Sequence, residues 1–439
     1  MLRQENSTAD AAVLSLKQLV EFARRYSPYY AQLYQQIPSS GWQLCDLPLV
    51  DPGDYWKGSC SLTHWPALTA PISDAIVFKT GGTTGAGKLS VYTRSEWRAF
   101  VTRFGRSLAN HLNPGDRVAN LFFAGDLYSS FLFIHGALTH MDTPICEYPF
   151  SGMMAPQTLI DQLNQHKINV LAGVPAKLLQ FAASIGEQQL PGITLLLFGS
   201  ESIFAEQLLL LKQTFPNARI ASIGCAGVDS GLIGASTPEC LSGEHRVFEP
   251  DTIVEIIDEV TGESIIEEGR TGMLVVTNLT RKLMPLIRYP VGDLAAWREP
   301  SGKPERKFVL QGRSSLGHRI RIACSSIFPD EIDALITEIF GKQQWQIILS
   351  HQDNCDSLTL CIAFTGSDSD ADTLYHSLQE RDRSFPALLE TKQLKIIVEW
   401  CSQDELICNP RTGKLQRVID RRPYITGEEE SDRYQKLPA

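Results

Sequence analysis

The sequence of 439 residues has no apolar run close to the roughly 20 residues that are needed to span a bilayer. Its most apolar segment, residues 118–138, is interrupted by Asp126 and by several other polar residues. The first residues also lack the apolar segment that is typical of a secretion signal. We therefore expect no membrane-spanning helix, and we predict a cytoplasmic protein.

Paired cysteines and clustered basic residues are missing as well. The ten cysteines include no C-x-x-C pair, which argues against a structural zinc site and favours reduced thiols. The net charge is −10, and Lys and Arg are scattered without a long run. A basic face is the electrostatic signature of nucleic-acid binding. We therefore predict no nucleic-acid partner and no anionic membrane partner.

The most informative segment is a glycine-rich loop, residues 80–88, which reads TGGTTGAGK. Glycines let backbone N–H groups point inward around an anion, and the threonines and Lys88 add further donors. The loop satisfies seven positions of the P-loop pattern, but Leu89 occupies the eighth, where Ser or Thr would bind magnesium. Residues 89–93 also read as a strand, not as the helix that follows a P-loop. We predict a strand–loop–strand hairpin over nucleotide phosphates; a surface hairpin without a ligand is the alternative.

The pattern of apolar segments predicts an α/β fold. Continuous apolar strands alternate with helical segments, which indicates a parallel sheet between layers of helices. These strands are residues 117–124, 168–172, 193–198 and 219–223. After residue 245, strands follow one another without helices, which predicts an antiparallel, barrel-like region. A small, mobile α+β domain follows, so we predict a large N-terminal domain over residues 1–313 and a C-terminal domain over residues 314–439.

Four more segments carry polar residues where a ligand could bind. Ser200 and Glu201 follow a predicted strand, and ligands bind beyond the carboxyl ends of strands in such sheets. Asp229 could ligate Mg²⁺ through oxygen, Asp293 could accept the hydroxyls of a ribose, and Lys414 projects from a glycine turn. Taken singly, each also fits a structural role as a helix cap, a turn residue or a solvated lysine. The four segments are residues 198–201, 223–231, 284–293 and 409–417.

In this order, the segments resemble the motifs of the adenylate-forming superfamily, specifically its phenylacetate–coenzyme A ligase-like branch. The resemblance covers about residues 12–425. Residues 80–88 are similar to the phosphate loop of the superfamily, residues 285–293 to its ribose motif, and residues 312–314 to the start of its hinge. Residues 413–422 are similar to its catalytic-lysine motif.

The resemblance implies a role for each candidate residue. The phosphates of ATP would be held by Thr80, Gly81, Gly82, Thr83, Thr84, Gly85 and Lys88. Ser200 and Glu201 would flank the adenine, Asp293 and Arg313 would fix the ribose, Asp229 would lie near Mg²⁺, and Lys414 would be catalytic. The acyl pocket would include Phe123, Tyr128, Phe131, His135, Gly224 and Cys225. These residues would suit an aromatic or medium-sized apolar acid, although His135 also fits a hydrogen-bonded core position.

The implied activity is that of an AMP-forming acid–thiol ligase. ATP and Mg²⁺ would convert a carboxylic acid to an acyl-adenylate, and coenzyme A would accept the acyl group. Ser315 stands where the branch has an acidic hinge residue. This departure slightly favours an alternative in which an amine or a carrier-protein thiol is the acceptor. A second alternative is a non-catalytic nucleotide-binding regulator, and a homodimer is the assembly to test.

Overall fold

The computed structural model describes residues 13–79, 88–150, 154–314, 320–323, 325–381, 385–408 and 415–424. Within these ranges no helix is long and apolar enough to cross a membrane. The predicted phosphate-loop residues Thr80–Gly85 and the predicted catalytic Lys414 lie outside the described residues, so their roles stay predictions.

The N-terminal region consists of short helices. They are α1 (Leu16–Tyr26), α2 (Pro28–Leu33) and α3 (Pro52–Trp56). The first two helices are separate because Pro28 disfavours the helical conformation at Ser27, which is extended and caps α2 with its side chain. Tyr30 and Tyr55 pack at the centre of this region, and both donate a hydrogen bond to the carbonyl oxygen of Pro285. The helices therefore support the start of the predicted ribose motif.

The predicted hairpin around the glycine-rich loop is confirmed. Strands β1 (Ala75–Lys79) and β2 (Leu89–Thr93) are antiparallel, and Lys79 pairs with Leu89. Helix α4 (Arg94–Leu108) follows directly. Its capping box joins Thr93 and Glu96, as the sequence T-x-x-E indicates. The two strands fix the ends of the loop.

A parallel sheet forms the layered α/β part, also as predicted. Its elements are β3 (Arg117–Asn120), α5 (Ser130–Thr139), β4 (Cys146–Pro149), α6 (Pro156–Gln165), β5 (Val170–Gly173), α7 (Pro175–Ser184), β6 (Leu195–Phe198), α8 (Ala205–Thr214) and β7 (Arg219–Ser222). In the described part of the chain the strand order is β4-β3-β5-β6-β7. The order reverses beside β3, and ligands bind beyond the carboxyl ends of strands at such a point.

An antiparallel sheet follows, in agreement with the change of pattern near residue 245. Its strands are β8 (Gly224–Gly227), β9 (Gly231–Ala235), β10 (Glu244–Val247), β11 (Thr252–Ile257), β12 (Thr271–Asn278), β13 (Leu286–Trp297) and β14 (Lys307–Arg313). Among the described residues the order is β11-β12-β13-β14-β10-β9-β8. Because β8 begins two residues after β7 ends, this sheet meets the parallel sheet at the carboxyl ends of its strands.

The C-terminal part is a compact α+β unit. It contains β15 (Ile320–Ile322), β16 (Ser325–Ile327), α9 (Pro329–Phe340), β17 (Trp345–Gln352), β18 (Cys355–Ile362), α10 (Asp368–Arg381), α11 (Phe385–Glu390), β19 (Leu394–Trp400) and β20 (Val418–Asp420). Its buried side chains form a core of their own between Ile320 and Val418. The fold class predicted from the sequence is thereby confirmed. The separate core supports a domain boundary after residue 313, and the boundary itself stays a prediction.

Candidate active site

Two adjoining cavities lie where the two N-terminal sheets meet. The larger, of ≈470 Å³, extends from the ends of β6 and β7 to residues of the C-terminal part, including Tyr424. The smaller, of ≈140 Å³, extends toward α4 and α5. Described residues that line both cavities are Ser200, Gly224, Ala226, Gly227 and Asp229. A group in the smaller cavity can therefore meet a ligand of the larger one at this junction.

The turn after β6 brings Ser200 and Glu201 to the larger cavity. Ser200 has a left-handed backbone with φ of 72°. A Cβ at Gly199 beside it would lie 2.4 Å from Cδ1 of Ile223, so a larger residue there would force this buried side chain to move. Glu201 Oε2 accepts a hydrogen bond of 3.3 Å from the N–H of Ala176, at the start of α7, where the helix dipole favours a carboxylate. Helix α8 begins only at Ala205, so Ser200 is not its cap.

Strand β8 brings a backbone with small side chains to the junction. Gly224 has φ of 126°, and a Cβ there would lie 2.9 Å from the carbonyl oxygen of Gly234. Cys225 lines the larger cavity, and burial, together with the nearby Asp293, raises the pKa of its thiol, which therefore stays neutral. Asp229 follows in a tight turn and is only 6% exposed. A ligand at the junction thus contacts a backbone with little side-chain obstruction and one buried carboxylate.

Arg281 holds the Asp229 turn against the hairpin, a role that sequence reasoning missed. Its side chain is 1% exposed, and its guanidinium carbon lies 3.7 Å from the ring centroid of Tyr92. Nη1 donates to the carbonyl oxygen of Val228 at 3.0 Å, and Nη2 donates to that of Val91 at 2.7 Å. The only sequence signal was an arginine four residues before the predicted ribose motif. Arg281 therefore joins the segment that follows the phosphate loop to the Asp229 turn.

Asp293 and Arg313 face each other on neighbouring strands. They are register partners on β13 and β14, and Arg313 Nη1 lies 2.6 Å from Asp293 Oδ1. Both side chains line the larger cavity and are partly exposed. The ion pair orients the carboxylate and leaves it accessible to a ligand in the cavity.

The smaller cavity has five aromatic residues in its lining, and only part of that lining was predicted. Tyr128 and Gly224 line it, as expected, whereas Cys225 lines the larger cavity only. Phe123 and His135 are exposed and Phe131 is half-buried, and these three are not among the described lining residues. The aromatic residues of the lining are Phe100, Phe104, Phe122, Tyr128 and Phe133. Phe100 and Phe104 come from α4, whose contact with this site depends on tertiary packing.

His135 instead faces a carboxylate beside the edge strand β4. Its Nδ1 lies 2.7 Å from Oε2 of Glu147, and its side chain is 53% exposed. Oε1 of the same glutamate accepts a hydrogen bond from the amide of Asn120 at 2.9 Å. This arrangement gives His135 a structural partner away from both cavities.

The C-terminal part covers the larger cavity through contacts with α8. His351 Nε2 lies 2.9 Å from Glu206 Oε1, and the N–H of Asn354 donates to the same oxygen at 2.9 Å. The rings of Phe204 and His351 have centroids 4.0 Å apart. Lys88, at the end of the predicted phosphate loop, has its Nζ 4.7 Å from the ring centroid of Phe328. The two parts of the chain therefore meet at α8 and beside the predicted phosphate loop.

Comparisons with known proteins agree with this architecture. Residues 324–422 match the family of the AMP-binding enzyme C-terminal domain. A phenylacetate–coenzyme A ligase of Thermus thermophilus is 25% identical over 445 residues, which cover 93% of this chain and 95% of that protein. The predicted resemblance is confirmed. The chain is similar, over nearly its whole length, to the phenylacetate–coenzyme A ligase-like branch of the adenylate-forming superfamily.

Further relatives and solved structures of adenylate-forming enzymes extend the likeness. The indoleacetate–lysine synthetase of Pseudomonas savastanoi is 29% identical over 191 residues, 42% of this chain and 43% of that protein. A 2-hydroxyisobutyryl-CoA ligase in its thioesterification state, 18% identical, superposes with a TM-score of 0.69 over 100% of this chain and 97% of that one. The same ligase in its postadenylation state gives 0.57 over the same shares of the two chains.

In the terms of this superfamily, the predicted adenine, magnesium and ribose residues meet at one cavity. Ser200, Glu201, Asp229, Asp293 and Arg313 come from separate strand ends, and all of them line the larger cavity. The smaller cavity adjoins it at Ser200, Gly224 and Asp229. The individual role of each of these residues remains a prediction.

Proposed function

We propose that the protein uses ATP to convert a carboxylic acid to an acyl-adenylate, with release of pyrophosphate, and then transfers the acyl group to coenzyme A. The observation that carries this proposal is the junction of a small cavity lined by five aromatic residues with a larger cavity at the predicted nucleotide motifs. The similarity to phenylacetate–coenzyme A ligases over nearly the whole chain supports it.

The first half-reaction activates the carboxylate of the acid, whose carbon is a poor electrophile. An oxygen of the carboxylate attacks the α-phosphorus of ATP, the bond from that phosphorus to the bridging oxygen breaks, and pyrophosphate leaves. The acyl carbon then carries AMP, which is a competent leaving group. The protein contributes by holding the two reactants in line and by stabilising the charge that develops.

Five described residues, together with the predicted Lys414, would suit this task. Ser200 and Glu201 would lie beside the adenine, and the Asp293–Arg313 pair would present a fixed carboxylate to the ribose hydroxyls. Asp229 suits Mg²⁺ because a buried carboxylate is a hard oxygen ligand, and Mg²⁺ bound in this way takes further ligands from phosphates and water. The ion would neutralise phosphate charge. Lys414 would add positive charge between the carboxylate and the α-phosphate.

The acid that we propose is aromatic or similarly apolar. Four phenylalanines and Tyr128 surround the smaller cavity, and rings of this kind favour flat apolar groups in offset or edge-on contact. The name of the Thermus thermophilus relative gives phenylacetate as an acid of that class.

In the second half-reaction, the thiol of coenzyme A attacks the acyl carbon and AMP leaves. The better superposition on the thioesterification state supports an arrangement of the C-terminal part that suits this step. An amine acceptor is the second candidate, because one relative is named for an acid and lysine. A carrier-protein acceptor, a homodimer and a cytoplasmic location remain predictions from the sequence.

A panel of carboxylic acids scored by pyrophosphate release tests the proposal. We expect release that depends on an aromatic acid and on ATP, and product formation when coenzyme A is added. Parallel reactions with lysine in place of coenzyme A test the second candidate. Release that is independent of the acid, or that occurs with no acid of the panel, would contradict acyl-adenylate formation.

A further inference from the structure

The lining of the smaller cavity combines aromatic with polar residues. The aromatic residues come from α4, α5 and the chain after β3. The lining also includes Lys79, Ser129 and Ser130, whose polar groups an unsubstituted apolar acid would leave without a partner. The serine hydroxyl of Ser130 is already engaged, because it donates to the carbonyl oxygen of Phe123 at 3.2 Å.

Lys79 is the basic residue of this lining. It is the last residue of β1, and its position is fixed twice: it pairs with Leu89 of β2, and its N–H donates to the carbonyl oxygen of Leu127 at 2.9 Å. None of the ion pairs or side-chain hydrogen bonds within the described ranges involves its amine. Asp229 lines the same cavity and already has an interaction of its own. Lys79 thus adds a basic side chain to the lining of a cavity that has five aromatic residues.

The volume of the cavity limits what can lie next to that charge. A cavity of about 150 Å³ lined by apolar side chains in another protein holds one benzene molecule. At ≈140 Å³, the smaller cavity therefore matches a single ring and has little room for a fused second ring. The carboxylate of the acid must point toward the junction, at Ser200 and Asp229, where the nucleotide would be reached. Another edge of the ring is then left to face Lys79.

We propose that Lys79 determines the acid specificity by selecting a single-ring acid whose ring carries an anionic or hydrogen-bond-accepting substituent. The inference rests on the proposed function, and it specifies the ring substituent of the acid that this site would bind. An amine that donates to such a substituent loses its own hydration and regains a charge-assisted hydrogen bond. An unsubstituted ring would instead remove water from the amine without replacing it, which is unfavourable.

Binding of stable acyl-adenylate analogues tests this specificity without turnover. The probes are sulfamoyl-adenosine analogues with a phenylacetyl group, unsubstituted or with a hydroxyl or carboxyl group at each ring position, measured by calorimetry. In the wild type we expect one substituted analogue to bind more tightly than the unsubstituted one. Lys79→Met should weaken that analogue by about 10- to 100-fold, the range for a charge-assisted hydrogen bond. It should leave the unsubstituted analogue unchanged or improved.

Two variants serve as controls. Lys79→Arg retains the charge and should keep the order of preference, while Lys57→Met removes an exposed lysine elsewhere and should change nothing. Unchanged AMP binding by Lys79→Met shows that the nucleotide site is folded. An equal loss for all analogues would overturn the inference, because Lys79 would then serve the common carboxylate or phosphate. Equal affinities in wild type and Lys79→Met would overturn it too. If the wild type binds neither AMP nor any analogue, the proposed function itself fails, and this inference with it.

Discussion

The carboxylate of Asp293 lies 2.6 Å from the guanidinium of Arg313 and is still accessible to a ligand of the larger cavity. We expect Asp293→Ala to weaken AMP binding by roughly 2–3 kcal/mol, the scale of hydrogen bonds to a charged group. The variant should also discriminate less between AMP and 2′-deoxy-AMP, because the lost contact is to a ribose hydroxyl. Calorimetry with both nucleotides measures the two effects.

Asp293→Asn is the matched control, since it keeps the shape and the acceptor oxygen but removes the charge. Its affinity for AMP should fall between those of the wild type and Asp293→Ala. Wild-type AMP affinity in a folded Asp293→Ala protein would refute the ribose role.

Two buried histidines should make the stability of the fold depend on pH. Burial lowers the pKa of His245 to about 4, and burial together with Arg219 lowers that of His111 to about 4, from 6.5 in each case. The unfolded chain therefore takes up these protons first as the pH falls. The free energy of unfolding should be fully retained above pH 6.5 and decrease between 6.5 and about 4. At pH 5, the loss should be about 2 kcal/mol for each histidine.

Substitution of one histidine checks the assignment. In urea denaturation at several pH values, His245→Leu should show about half the decrease that the two histidines cause together. His64→Leu, which removes an exposed histidine, should follow the wild type. A wild-type pH dependence in His245→Leu would mean that His245 is not the group responsible.

At the scale of the helices and strands, the side chain of Glu96 connects the start of α4 to the segment before β13. Glu96 accepts from the N–H of Thr93 in the capping box, and its Oε1 also accepts from the N–H groups of Lys282 at 2.6 Å and Leu283 at 2.9 Å. Glu96→Ala removes the reciprocal cap and leaves two backbone donors unsatisfied. We expect a loss of about 2–4 kcal/mol in the free energy of unfolding, measured by denaturant titration.

The capping box of α1 provides a comparison with the same local chemistry. Gln18 accepts from Ser15 at an exposed position and makes no long-range hydrogen bond of this kind among the described residues. Gln18→Ala should therefore cost less than about 1 kcal/mol. Similar losses in the two variants would show that the bonds to Lys282 and Leu283 contribute little.

The predicted strands show what the apolar pattern could and could not reveal. The strand predicted over residues 117–124 ends at Asn120, although Phe122 beyond it is buried. A continuous apolar run indicates only that the segment is buried. A buried loop can have the same apolar pattern as a strand. The capping box at Thr93, in contrast, was predictable because both partners are local in sequence.

Only part of the site could be predicted, because only some of its residues stand in short local motifs. Ser200, Asp229 and Asp293 stand in short motifs whose order is readable, and the structure brings them to one cavity. Phe100 reads simply as one apolar residue of a helix, and Arg281 as a surface residue. Their places at the site follow from contacts between segments that are distant in sequence, which no local pattern encodes.

At the scale of the whole molecule, the C-terminal part has its own core and meets the rest through contacts that include polar and aromatic pairs. Glu206 at the start of α8 faces His351 and Asn354, and the ring of Phe204 contacts those of His351 and Tyr424. An interface between two parts of one chain can form in one arrangement and separate in another. We predict that these contacts form in the second half-reaction and separate in the first.

Lys414 and Glu206 should therefore affect opposite half-reactions. The charge of Lys414 is useful while negative charge collects between the carboxylate and the α-phosphate, so Lys414→Ala should slow adenylation by about 10²–10³. It should still convert prepared acyl-AMP and coenzyme A to thioester.

Glu206→Ala should give the converse result, because its carboxylate contacts His351 and Asn354 of the C-terminal part in the arrangement seen here. We expect thioester formation from prepared acyl-AMP to slow by roughly 3- to 10-fold, a modest effect since the side chain is partly exposed. Pyrophosphate release in the first half-reaction should be unchanged, and Glu187→Ala, at an exposed site, should leave both steps unchanged. If Glu206→Ala slows both half-reactions equally, the contact with His351 and Asn354 is structural. If it slows only adenylation, the arrangement seen here belongs to the first step.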